Sequence, residues 1–144
     1  MAPPAWILSI PIGFGSTFSL RFVSLLLQIK SGVPMKNAQG RDQPLSKEVA
    51  MKDTDGYARR AFLAHCNSWE AMILWTSSVA VAKIMDVEES TMNSAAMVWM
   101  GARFVYAPAY IFIKNDKASY FRSAMFMVGT VSAFSLMVAA VKKA

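Results

Sequence analysis

The amino-acid sequence predicts an all-α integral membrane protein, a four-helix bundle running up-down-up-down. Three observations carry that expectation. Of 144 residues, 55% are hydrophobic and the mean hydropathy is +0.34, too apolar for a soluble multi-domain chain of this size. Four stretches, approximately 5–29, 58–82, 91–113 and 118–141, are apolar enough to cross about 30 Å of hydrocarbon, which takes about 20 helical residues. The last carries no charge from 123 to 141 and is apolar on nearly all sides, whereas a helix of a soluble bundle needs a polar outer face.

The elements follow in order. The first run holds Arg21. No basic residue precedes its apolar start, and it outlasts a secretory leader, so it reads as a spanning helix. A polar loop over 30–57 follows. Gly32, Pro34, Asn37, Gly40, Asp42 and Pro44 mark a true turn region, and 45–55 is expected to hold a short interfacial helix capped by Ser46 or Asp42. The second run opens with Arg59 and Arg60 and contains His65, Asn67 and Glu70. The third contains Arg103 and is expected to kink at Pro108, which cannot donate to the carbonyl of Phe104. Two tight connections make the last three helices antiparallel neighbours, and the chain from 1 to 144 reads as one domain.

Charge sets the orientation. Lys30, Lys36, Arg41, Lys47 and Lys52 crowd the first connection, and Lys114 and Lys117 the third, whereas the second is acidic with Asp86, Glu88 and Glu89. The positive-inside bias places connections one and three on the cytosolic, matrix or stromal side; the membrane, endoplasmic reticulum or an organelle's, stays open. The net charge of +6 comes from this asymmetry. Dispersed cations without an aromatic platform exclude nucleic acid as the expected partner, and the lone Cys66 fits neither an internal disulfide nor a metal-ligand spacing.

Ionisable groups inside the runs are the functional signal, because each costs roughly 2.5–3.5 kcal/mol at a bilayer centre. At about 100° per residue, Arg59, Leu63, Cys66, Asn67 and Glu70 share one sector of the second helix. His65 points elsewhere, with Trp69, and reads as a hydrogen-bonded packing residue. Trp99, Arg103, Tyr106 and Tyr110 share a face of the third helix. Glu70 is expected between helices, paired with Arg103 or Arg21. Such a pairing serves either a binding site or only helix register.

The spacing Arg60-Ala61, Ala64-His65-Cys66-Asn67-Ser68-Trp69-Glu70, then Arg103 through Tyr110, resembles the membrane-associated proteins in eicosanoid and glutathione metabolism (MAPEG), over nearly the whole chain. The resemblance implies a homotrimer that binds glutathione between subunits. It assigns Asn67 and Glu70 to holding glutathione, with Arg103, Tyr106 and Ser123 beside them. It places Tyr110 and Arg122 at the thiol, which they would activate against a lipophilic electrophile or hydroperoxide. No metal is implied. The sequence departs from the active members at Cys66 and Leu63, where they carry arginine. That departure keeps an alternative open, a non-catalytic subunit of a larger respiratory or photosynthetic membrane complex.

Overall fold

A computed structural model describes residues 3–36 and 40–144; Asn37, one of the turn-forming residues of the first connection, lies outside them. The described chain is all-helical, without a strand. Four long helices, α1 (Ala5–Lys30), α3 (Tyr57–Ile84), α4 (Glu89–Phe112) and α5 (Asp116–Val141), pack along one another. The short helix α2 (Lys47–Lys52) lies in the connection between α1 and α3.

That connection is more structured than the expected 45–55 helix. A single 3₁₀ turn over Gln43–Leu45 precedes α2, and Ser46 rather than Asp42 caps α2, its hydroxyl accepting from the Val49 amide at 3.4 Å. Asp53 then starts α3. Its carboxylate accepts from the amides of Tyr57 (3.1 Å), Ala58 (2.8 Å) and Arg59 (3.4 Å), three donors that a helix start leaves without partners. Gly56, at φ +69°, turns the chain into that cap in a conformation open to glycine. Pro11 and Pro108 are both exposed, and α1 and α4 run on past them.

The helices pack with their small and polar residues inward. The buried face of α1 is Ser9, Gly13, Thr17, Leu20, Ser24 and Gln28, while Phe18, Phe22, Leu26 and Ile29 are exposed. Small side chains let helices approach closely, and hydroxyls then bridge them. Ser24 donates to the Ala58 carbonyl (2.9 Å), Ser132 to that of Ala95 (2.7 Å), and the Trp75 indole to Ser9 Oγ (2.9 Å). Gly13 sits where α1 meets α3 and α4: a Cβ there would collide with Met72 Sδ and come within 2.8 Å of the Trp99 ring. Trp75 and Trp99 stack with centroids 5.0 Å apart at the centre of the main core, among Met72, Val79, Met92 and Leu136.

Candidate functional site

The site is a groove of about 330 Å³ between α3, α4 and α5. From α3 come Asn67 and Glu70, one turn apart. Tyr106 and Tyr110 stand one turn apart on α4, and α5 supplies Arg122 with Phe126, and Ser123 with Met127, each pair again at i and i+4. Helical spacing thus gives α3 and α4 two wall side chains each and α5 four, and Asn115, whose side chain accepts from the Lys117 amide, fixes the start of α5.

Its geometry is specific. Asn67 Nδ2 donates to the Tyr106 hydroxyl at 2.8 Å, tying α3 to α4 across the groove floor. The Arg122 guanidinium lies 4.7 Å from the centroid of the Tyr110 ring, a cation–π contact that holds the cation at the wall. Tyr106 packs against Tyr110 (5.5 Å) and Phe126 (5.7 Å). The arrangement offers one permanent cation, a carboxylate, an amide and two phenols. It suits a small anionic or zwitterionic ligand more than an apolar one.

Of the residues singled out from the sequence, Asn67, Glu70, Tyr106, Tyr110, Arg122 and Ser123 all line this groove, whereas Arg103 does not. The expected ion pair between Glu70 and Arg103 or Arg21 is also absent from the described residues, whose only ion pairs are Lys36–Glu48 and Lys114–Asp55. Glu70 is exposed at the groove, and Arg103 is buried behind Tyr106. The reason is the helix face: α3 turns Glu70 outward with Cys66 and Ile73, away from the small residues that pack on α1 and α4. Arg21 reaches the other way, donating to the Gly40 carbonyl with its guanidinium over the Phe62 ring (5.1 Å). His65 places Nδ1 2.8 Å from the Thr17 carbonyl, which requires a proton on that nitrogen, and so serves α1–α3 packing. Phe126 and Met127 were not anticipated, although their i+4 spacing from Arg122 and Ser123 is readable from sequence.

Three further cations act outside the groove. Arg60 donates through Nε to the Ile111 carbonyl (2.7 Å) and through its terminal nitrogen to that of Asp55 (2.8 Å), joining the start of α3 to the end of α4. Lys114 pairs with Asp55 at the same junction, which holds the Asp55 carboxyl below the usual aspartate range and the Lys114 ammonium above the usual lysine range. Lys36 likewise holds Glu48 below the usual glutamate range through a 2.8 Å contact.

The MAPEG family model matches residues 14–142, nearly the whole chain. The chain belongs to the MAPEG family. No curated protein and no solved structure matches it significantly. Membership makes this MAPEG chain a membrane-associated protein, and two of its helices, α1 and α5, are long and apolar enough by composition to cross a bilayer. Within the MAPEG match lie all four long helices except the first turns of α1, and the whole groove.

Proposed function

We propose that the protein is an integral membrane protein whose four long helices span the bilayer, and that its groove binds glutathione and activates the thiol. The convergence of Asn67, Glu70, Tyr106, Tyr110, Arg122 and Ser123 on one concavity is the observation that carries this reading. Asn67 and Glu70 offer an amide and a carboxylate to the peptide's polar groups, Glu70 pairing with its ammonium. Arg122, with Tyr110 beneath it, favours the thiolate over the thiol by direct attraction, and the thiol proton leaves to water. The thiolate then attacks a lipophilic electrophile or hydroperoxide that arrives from the hydrocarbon. The protein holds and polarises the cosubstrate, which itself supplies the nucleophile.

The inside-out distribution of residues supports membrane spanning. Ile7, Phe22, Ile73, Phe104, Val131 and Val138 face outward, and serines, threonine and alanines face inward, as packing in lipid favours. The outer face of α3 supports self-association. Arg59, Leu63, Cys66, Glu70, Ile73, Ser77, Ala80 and Ile84 alternate in steps of four and three, and none is fully buried in the single chain. A face with this spacing is where a second copy's helix would pack. The homotrimer that family resemblance implies would then associate through α3, with the groove beside the subunit boundary.

The test is spectroscopic. Glutathione added to the purified protein in detergent or nanodiscs is expected to give a thiolate absorbance band at neutral pH, reduced at least tenfold by Arg122→Met and weakened by Tyr110→Phe. No band and no saturable binding at millimolar glutathione would retire the reading. One observation favours a second reading, an accessory subunit of a larger membrane complex: among the described residues Arg122 is the one cation lining the groove, and α3 carries Leu63 and Cys66 where the resemblance expects arginine. Isolation in stoichiometric association with other membrane subunits, with no glutathione bound, is the outcome that selects it.

A further inference from the structure

Arg103 is a buried cation that the groove does not use directly. It is 8% exposed, and all three guanidinium nitrogens are buried without a hydrogen-bond partner among the described residues. Aromatic faces surround it, with ring centroids of Phe126 at 4.8 Å, Tyr106 at 5.2 Å and Trp99 at 6.0 Å. Gly129 closes the remaining side: a Cβ there would come within 3.4 Å of the Arg103 Nε, so the guanidinium lies against bare backbone. The elements packed around it bring no counter-charge. From α1 come Ile12, Gly13 and Ser16, and from α5 Phe126 and Gly129; α3 has Asn67 and Glu70 at the groove, but among the described residues no carboxylate lies within 4.0 Å of Arg103. A cation in such apolar surroundings is screened far less than one at the surface.

Two of the rings in that cage, Tyr106 and Phe126, are also walls of the groove. The cation therefore stands one ring's thickness behind the ligand space, and the Tyr106 hydroxyl on the groove side is held by Asn67. We propose that Arg103 is a positioning residue acting through Tyr106: an unneutralised charge fixed behind the groove wall, whose field adds to that of Arg122 and favours anions, a bound thiolate above all. This rests on the reading of the groove as a thiol site for its function, but the field itself can be measured without glutathione. A buried charge that served only packing would be replaceable, and replaced at a gain, by an apolar side chain of similar length.

The experiment places a reporter thiol in the groove. In a Cys66→Ser, Ser123→Cys protein, the pH dependence of alkylation reads how readily the thiol ionises. A unit charge acting over roughly 10 Å at an effective dielectric near 20 moves a thiol by about one pH unit. The Ser123→Cys thiol is therefore expected to ionise about one unit higher when Arg103→Met or Arg103→Gln is added, and to move by less than half of that with Arg103→Lys. The melting temperature of Arg103→Met should stay level or rise. Equal ionisation in all variants, or a lysine variant that shifts as far as the methionine one, overturns the proposal. Glutathione added to the otherwise unaltered protein separates the two readings: a reporter shift without a glutathione thiolate band retires the cosubstrate and leaves the Arg103 field in place. A glutathione band unmoved by Arg103→Met, with no reporter shift, retires the Arg103 role alone.

Discussion

Gly13 shows how much one atom decides in this molecule. The α1 backbone approaches Met72 and Trp99 so closely that a methyl group has no space, and both neighbours are held at the centre of the core by the Trp75–Trp99 stack. Gly13→Ala is therefore expected to cost about 1–3 kcal/mol through forced repacking, although alanine is the better helix former. A thermal unfolding series in detergent checks it, and an unchanged melting temperature would show that Met72 yields freely. Among the groove residues, Asn67, Glu70, Tyr106 and Tyr110 were legible as polar groups at helical spacing inside apolar runs, whereas Arg122 and Ser123 were reached only through the family resemblance. Arg103 was legible as important but not as to place. Sequence spacing puts it on the face of Tyr106 and Tyr110, yet only packing decides whether a guanidinium reaches the groove or stops behind a ring.

At the scale of the elements, the long helices need little help from their ends, and the connections carry the specificity. Asp53 satisfies three amides at the start of α3 while only 7% exposed, so Asp53→Ala leaves buried donors unpaired at the junction with α2. A loss of about 1–2 kcal/mol is expected, measurable as a lower melting temperature and as faster amide exchange confined to residues 57–59. The nearby Asp55–Lys114 pair joins the α2–α3 turn to the α4–α5 connection. Its Asp55 carboxyl is depressed, so that part of its contribution is present above the ordinary aspartate range and is lost as pH falls through the lowered value. Its Lys114 ammonium is raised, so that part is complete below the ordinary lysine range and is lost as pH rises through the raised value. The effect should be small and salt-sensitive, as both groups are exposed. Lys114→Met should flatten the acid limb of a stability profile below about pH 4, the ordinary aspartate value. An acid limb identical to that of the unaltered protein would show the pair contributes nothing. The Asp53 cap was not anticipated, since a turn of several polar residues gives no sign of which carboxylate bends back to the helix.

For the whole molecule, many large apolar residues of α1, α4 and α5 look outward, while hydroxyls and alanines share the interior with the Trp75–Trp99 core. That distribution loses little in lipid, where apolar side chains gain nothing by burial and close backbone approach gains dispersion. In water it would leave large apolar patches exposed. The four-and-three seam on α3 gives the assembly prediction. Cys66 lies in that seam, so oxidative or bismaleimide cross-linking in membranes should yield a covalent dimer band that Cys66→Ser abolishes. Cross-linking at no concentration of protein in the membrane would count against association through α3. Burial of Glu70 within a single chain was the expectation this scale corrected. Its carboxylate is left at the groove mouth, beside the seam, where a neighbouring copy or a ligand can meet it.

By itself the sequence determined that this chain is helical, where its long apolar runs lie, which polar residues interrupt them, and the family to which the pattern belongs. These follow from local composition and a period of 3.6 residues, which a linear string records in full. Only the tertiary structure decided that Arg103 stands caged behind Tyr106, that Glu70 pairs with no arginine of its own chain, and that Asp53 starts α3. Those outcomes depend on rotamers and on contacts between helices distant in sequence, and a one-dimensional period fixes the face of a side chain but not the partner it meets.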